Sequence, residues 1–150
     1  MIEPEAYAVP DDIEAPLAEM RAHWKGLRRG GNEMPFWDDV KLSALQHMGD
    51  EVMLIDVFEN PERFRFNFLG SAIVDRYGRP VAGRFLDEIE AQDPFDHFEA
   101  QCAEAVRSRA PTYYRHRSAE TRPYARIVLP LWGNGHVEML MVAVADTSGG

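Results

Sequence analysis

The first apolar pattern in the chain has the period of an amphipathic helix. Between residues 11 and 29, apolar side chains recur at alternating steps of four and three and form one stripe, which comprises Ile13, Leu17, Met20, Trp24 and Leu27. Pro16 fits the first turn of such a helix, and Gly30-Gly31 supplies a stop. The spacing predicts a helix over 11–29, and a second, shorter helix is predicted over 38–48.

After residue 50 the period changes to that of strands. Residues 52–58 are nearly continuous apolar, and three phenylalanines then alternate with polar residues over 63–68. Turn residues separate these segments, so they are predicted to pair. Gly133-Asn134-Gly135 indicates a second hairpin near the end of the chain. The strands predicted from these patterns are 52–58, 64–68, 112–117, 122–132 and 136–144.

Glycines and prolines restrict residues 71–92 to short helical pieces, and one longer helix follows. Asp93 is predicted as its N-cap and Pro94 as its first residue. Its apolar stripe comprises Phe95, Phe98, Cys102 and Val106, and it ends before Pro111. Antiparallel hairpins at both ends of this order predict an α+β fold.

The last strand is apolar on both of its faces. Alternation along the preceding strand assigns Ala125, Ile127, Leu129 and Leu131 to the core side. Because the second face of the last strand is also apolar, something must cover it. The predicted cover is the N-terminal helix, either on its own sheet or on the sheet of a second protomer. The predicted interface residues are Leu17, Met20, Trp24, Leu140 and Val142.

Composition narrows the function classes. The 150 residues include 25 acidic and 16 basic side chains, and a formal charge of -9 disfavours nucleic acid as a partner. A single cysteine, Cys102, indicates a reducing compartment. The N-terminus lacks the pattern of a signal peptide and no apolar run is long enough for a membrane span, so a cytoplasmic protein without membrane contact is expected.

The order of elements resembles the PAS fold, a five-stranded antiparallel sheet with short helices and one longer helix on one face. Several segments are similar to a bacterial family of short stand-alone PAS proteins: Gly70-Ser71-Ala72-Ile73-Val74, Tyr77-Gly78, Gly83-Arg84 and Leu129-Pro130-Leu131. The resemblance implies an N-terminal helical cap over 1–32, a PAS-like domain over 33–146 and a tail over 147–150.

A non-catalytic sensory or regulatory role is what this resemblance implies. It implies contact with a signalling protein in trans or with a second copy of the chain, in a histidine-kinase or cyclic-nucleotide pathway. A small molecule in the core pocket is a further possibility. Asp146-Thr147-Ser148 lies just after the last strand, where multidomain PAS proteins commonly carry an Asp-x-Thr junction, but two residues follow it, so action in trans is expected unless the chain is a fragment.

The residues give little support for the cofactors that are known in PAS domains. The Asn-Cys-Arg-Phe-Leu-Gln motif of flavin-binding PAS domains is absent, and Cys102 lies on the apolar stripe of the long helix. A haem would need His97, but that residue shares a helical face with Gln101, Glu104 and Ser108, which is predicted to point away from the core. The cofactor is therefore left unknown and no metal site is expected.

Polar strand residues are the remaining ligand candidates. Tyr114 and His116 share one side of their strand and, together with Phe98, Cys102 and Ile127, are the predicted pocket residues. The alternative is that Tyr114 and His116 are half-exposed strand residues, and this alternative is favoured. A further set of arginines forms a basic patch or a series of separate solvated positions, namely Arg107, Arg109, Arg115, Arg117, Arg122 and Arg126.

A small α+β enzyme is the rival hypothesis. It would use Asp56, Asp87 or Asp93 with a histidine as acid and base. Capping accounts for Asp93, and no phosphate loop, serine elbow or metal motif is present. The expectation is that the protein is not an enzyme.

Overall fold

The computed structural model describes residues 7–117 and 122–147. The helices are α1 (Ala15–Gly26), α2 (Leu42–His47), α3 (Ser71–Tyr77) and α4 (Phe98–Ser108). The strands are β1 (Val52–Phe58), β2 (Arg63–Leu69), β3 (Thr112–His116), β4 (Tyr124–Gly133) and β5 (His136–Asp146). Ser148, the last residue of the predicted junction motif, lies outside the described residues. Of these helices, none has the length and apolar character that a membrane span requires.

The five strands form one antiparallel sheet in the order β2-β1-β5-β4-β3. Asn134 and Gly135 form the turn between β4 and β5, and their φ values of 51° and 83° are those of a type I′ hairpin turn. The predicted α+β class is confirmed. This element order and sheet are also those that the resemblance to PAS domains implied.

Helices cover both faces of the sheet. Residues directly opposite one another in an antiparallel pair share a face, so Tyr114, Arg126 and Val144 project to the same side. That side, which we call the inner face, packs against α4. The opposite side, the outer face, carries Ile127 and Ala143 and lies against α1.

Ala125, Ile127, Leu129 and Leu131 are fully buried, as predicted for a core side of β4, but they lie on the outer face, which is covered by α1 and not by α4. Their inner neighbours include the polar Tyr124 and Arg126, which are fully buried. Since β4 is buried on both faces, the apolar side of its alternation does not identify the face that packs on α4.

Helix α1 packs on the sheet of its own chain, which is the first of the two predicted alternatives. Leu17 and Met20 are fully buried, and the Trp24 indole N–H donates a 2.7 Å hydrogen bond to the carbonyl of Pro130. The helix begins at Ala15, four residues later than predicted, and Glu14 just before it accepts a 2.8 Å hydrogen bond from the Tyr113 hydroxyl. Glu14 thus contacts β3, and α1 packs against β4 and β5.

Helix α4 begins at Phe98 and not at Asp93, so the predicted capping role of Asp93 was wrong. The Arg76 guanidinium holds the Asp93 carboxylate instead, at 2.5 Å. The carbonyls of Pro94 and Asp96 point to the inner face, where Arg126 donates to both. Residues 93–97 therefore form a loop that is ordered by two arginines.

Candidate functional site

A fully buried arginine lies at the centre of the inner face. The side chain of Arg126 is 0% exposed. Its Nε donates to Gln101 Oε1 at 2.7 Å, Nη1 to the Pro94 carbonyl at 2.8 Å and Nη2 to the Asp96 carbonyl at 2.9 Å. All three acceptors are neutral, and no ion pair joins Arg126 to a carboxylate within residues 7–117 and 122–147. Buried arginines are normally paired with an anion.

Gln101 is the polar partner that α4 supplies. It is also 0% exposed, and its amide Nε2 donates a 3.1 Å hydrogen bond to the backbone carbonyl of Arg126. The side chains of Gln101 and Arg126 thus hold α4 on β4 through two bonds. The prediction that this helical face points away from the core was correct for His97, which is exposed, and wrong for Gln101.

A second hydrogen-bonded group lies beside the guanidinium. Tyr124 donates from its hydroxyl to Asp96 Oδ2 at 2.7 Å and accepts from the Asp96 backbone N–H at 3.1 Å. His116 Nε2 is 3.7 Å from the same carboxylate oxygen, and its Nδ1 is 2.7 Å from the Tyr114 hydroxyl. We call Asp96, Gln101, Tyr114, His116, Tyr124 and Arg126 the inner cluster.

Aromatic rings take the place of a counter-ion around the charge. The Arg126 guanidinium carbon lies 4.5 Å from the ring centre of Phe98 and 4.9 Å from that of Tyr114. Complete burial lowers the pKa of Arg126, because a low-dielectric interior disfavours the charged form. Burial also raises the pKa of Tyr114 to about 12, although the nearby Arg126 charge opposes that shift.

The predicted pocket residues separate into two groups. Tyr114, His116, Phe98 and Cys102 come together on the inner face, where Cys102 is fully buried on α4 and burial raises the pKa of its thiol. Ile127 projects to the outer face under α1, so it does not join the other four.

The predicted interface residues are also divided between the two faces of the sheet. Leu17, Met20 and Trp24 are buried between α1 and the outer face, whereas Leu140 and Val142 lie on the inner face.

The arginines of the predicted basic patch do not form one surface. Arg107 pairs with Glu104 on α4, Arg122 pairs with Asp146 at 3.2 Å, and Arg126 is buried. Arg115 and Arg117 are exposed on the edge strand and just after it. Only Arg109, at the end of α4, contributes to a basic surface, which is described below.

The three carboxylates of the rival enzyme hypothesis each contact an arginine. Asp56 pairs with Arg65 at 3.0 Å, and Asp87 forms a bidentate pair with Arg63. Asp93 pairs with Arg76, as described above. The aspartate that does approach a histidine is Asp96, which the sequence reasoning did not select as an acid or base.

Sequence reasoning missed Gln101, Asp96 and Tyr124 as members of one site. A signal was present for Arg126, because it lies between Ala125 and Ile127 in a strand whose other members are almost all apolar. A charged residue in a strand buried on both sides needs a dedicated environment. No pattern in the sequence indicated that the loop 93–97 would supply two of its acceptors.

A basic groove lies between one flank of α1 and residues 109–111, which connect α4 to β3. It has a volume of about 490 Å³ and is lined by Val9, Arg21, Trp24, Lys25, Arg28, Glu33, Arg109, Ala110 and Pro111. Four of these residues are cationic and one is acidic. The four cations form no ion pair with a described residue, whereas most other arginines of the chain do. In a chain of net charge -9, this concentration of positive charge is distinctive.

Comparisons with known proteins yield structural likeness alone. No family model and no curated protein matches the chain. The PAS domain of the histidine kinase ThkA is 16% identical with a TM-score of 0.46, over 64% of this chain and 99% of that chain. The light-state LOV structure of the blue-light photoreceptor Aureochrome1 is 13% identical with a TM-score of 0.45, over 73% of this chain and 90% of that chain. Neither likeness supports a conclusion about function.

Proposed function

We propose that this protein is a non-catalytic PAS-type regulatory module in which the inner cluster and helix α1 are coupled through strands β3 and β4. The inner cluster receives the signal, which is a small molecule bound among its side chains. Helix α1 and the basic groove transmit that signal to another protein. The partner is a signalling protein of a histidine-kinase or cyclic-nucleotide pathway, bound in trans.

One observation supports this proposal: the adjacent strands β3 and β4 each contact both the inner cluster and the α1 region. In β3, the neighbouring residues Tyr113 and Tyr114 project to opposite faces: Tyr113 donates to Glu14 at the start of α1, and the Tyr114 ring lies against Arg126. In β4, Arg126 belongs to the inner cluster, and the Pro130 carbonyl accepts the Trp24 indole N–H. A shift of either strand therefore changes hydrogen bonds at both faces.

The charged and apolar residues that line the basic groove indicate which kind of partner segment it binds. Arg21 and Lys25 lie one turn apart on α1, Arg28 follows just after that helix ends, and Arg109, just after α4, lines the same groove. Trp24, Val9 and neighbouring apolar atoms line the same groove. An acidic protein segment with an apolar or aromatic anchor fits this combination of charge and apolar surface. A second copy of the chain is the alternative partner. Native mass spectrometry measures directly whether the chain forms a dimer.

Two matched hydroxyl deletions test the coupling. Tyr124→Phe removes a hydroxyl of the inner cluster, and Tyr77→Phe removes one that donates to the Glu90 carbonyl at 2.9 Å, away from β3 and β4. We expect Tyr124→Phe to speed amide hydrogen exchange in α1 relative to β1 and β2 by about fivefold, which corresponds to about 1 kcal/mol for one lost hydrogen bond. Tyr77→Phe is expected to leave that ratio unchanged.

Equal effects of the two variants on α1 would contradict the proposal, as would an unchanged ratio in both. Because each variant removes a single buried hydroxyl, a general loss of stability affects all protected amides and does not alter the ratio. The ratio therefore reports the coupling and not the global free energy of unfolding.

A further inference from the structure

Among the described residues no carboxylate pairs with Arg126, whose three guanidinium nitrogens each donate to a neutral acceptor. A guanidinium carries about five N–H donors, of which three are bound to Gln101, Pro94 and Asp96. The remaining donors lie in a fully buried side chain. A planar, two-oxygen acceptor such as a carboxylate is the group that a guanidinium binds best, because it accepts two parallel hydrogen bonds and neutralises the charge.

A tyrosine from the N-terminal segment closes this region. The segment before α1 contacts the outer face of edge strand β3 at Glu14, and Tyr7 reaches the inner face, where its ring centre lies 6.4 Å from that of Tyr114. Tyr7 is 3% exposed, yet its buried hydroxyl has no hydrogen-bond partner in the described chain. Burial raises the pKa of Tyr7, the Arg126 charge opposes this and the Glu104 charge reinforces it, so the phenol lies within range of both charges.

We propose that Arg126, Tyr114 and Tyr7 mark a binding site for a small aromatic carboxylic acid, and that Tyr7 occupies part of this site in the present conformation. The carboxylate of the acid pairs with Arg126, and its ring replaces the Tyr7 phenol against Tyr114. Binding displaces the segment that carries Tyr7. This inference rests on the proposed function, since it names the class of small molecule that the inner cluster receives.

Two features select this ligand class over others. Phe98 and Tyr114 place aromatic surface against the guanidinium, and the Tyr124 ring lies next to that of Tyr114, so the site favours a ring over an aliphatic chain. The buried cation is compensated by an anionic ligand, whereas a neutral analogue gives it no charge compensation. The unpartnered hydroxyl of Tyr7 also means that its displacement breaks no hydrogen bond of that hydroxyl within the described chain.

Benzoate is the test ligand, and benzamide is its neutral counterpart of the same shape. Binding of each is measured by NMR titration of the full chain, its Tyr7→Ala variant and a matched Val9→Ala variant in the same segment. Removing the Tyr7 ring opens a cavity beside Tyr114, whose ring also lies against Arg126, and apolar cavities of about 150 Å³ are known to accept a benzene ring. We expect Tyr7→Ala to bind benzoate at least about tenfold more tightly than the unmodified chain or Val9→Ala, because the competing ring is gone.

The comparison with benzamide isolates the contribution of the Arg126 charge to binding without mutating Arg126. We expect benzamide to bind Tyr7→Ala at least about tenfold more weakly than benzoate, since the amide leaves the charge uncompensated. In the unmodified chain, saturating benzoate should increase amide exchange in residues 8–13. Absence of benzoate binding to folded Tyr7→Ala, equal affinities for benzoate and benzamide, or equal affinities in Tyr7→Ala and the unmodified chain would each overturn the proposal. The Tyr124→Phe exchange experiment uses no ligand, so the coupling proposal and the ligand proposal fail independently.

Discussion

Replacing Gln101 by leucine tests how Arg126 is held in the interior. Leucine has a similar volume but cannot accept from Arg126 Nε or donate to the Arg126 carbonyl, so the charged Nε loses its partner and the carbonyl loses one of its donors. Each buried polar group without a partner costs about 1–3 kcal/mol, and the charged donor lies at the upper end of that range. The free energy of unfolding should therefore fall by about 3–5 kcal/mol, which is a large share of the total for a domain of this size.

Urea denaturation followed by circular dichroism measures this change. The control is Gln46→Leu, which makes the same substitution at an exposed position of α2 and should change the free energy of unfolding by less than about 0.5 kcal/mol. The loss in Gln101→Leu should appear as a lower midpoint with an unchanged slope. A loss below about 1 kcal/mol would refute the reasoning, because Arg126 would then be satisfied without its bond to α4.

Three further outcomes follow from burial and charge. Burial, reinforced by the hydrogen bond to Glu14, raises the pKa of Tyr113 to about 12. Folding therefore favours the neutral phenol. The contribution of Tyr113 to the free energy of unfolding is complete below about pH 10 and is lost as the pH rises through about 12. Tyr113→Phe should flatten the fall in stability over that window. Cys102 is fully buried with a raised thiol pKa, so Ellman's reagent should label it only after unfolding, and rapid labelling of the native chain would contradict its burial. Arg28→Glu should weaken binding of a fluorescent Glu- and Phe-rich peptide in low salt. Arg84→Glu, which changes an exposed charge outside the groove, should not. Equal weakening by both variants would exclude the groove as the peptide-binding site.

The strands were predictable because their signals are local. Alternation over 63–68 and the Asn134-Gly135 turn each determine a strand or hairpin from neighbouring residues, and the observed bounds of β1 agree with the predicted ones. The apolar second face of β5 also indicated that a further layer covers the sheet. From these features the sequence supported the antiparallel α+β architecture and a covering N-terminal helix, but not the face that α1 covers, because Leu140 and Val142 lie on the inner face.

The inner cluster was not predictable, because its parts come together only through tertiary packing. Asp93-Pro94 has the composition of a helix start, but the contacts of Arg76 and Arg126 with residues 93–97 take precedence over that local preference. The polar inner positions of β4 likewise resemble a solvated face until α4 is known to cover them. Gln101 has the periodicity of an exposed helical residue, and only its bonds to Arg126 explain its burial.

A double-mutant cycle across the sheet tests the central claim most directly. Trp24→Phe removes the indole donor to Pro130 on the outer face, and Tyr124→Phe removes a hydroxyl of the inner cluster, so the two changes share no contact. If β3 and β4 couple the two faces, the free energies of unfolding of the single and double variants should deviate from additivity by more than about 0.5 kcal/mol, whereas a cycle of Trp24→Phe with Tyr77→Phe should be additive. Additivity in both cycles would contradict the claim that the inner cluster and α1 act as one regulatory unit.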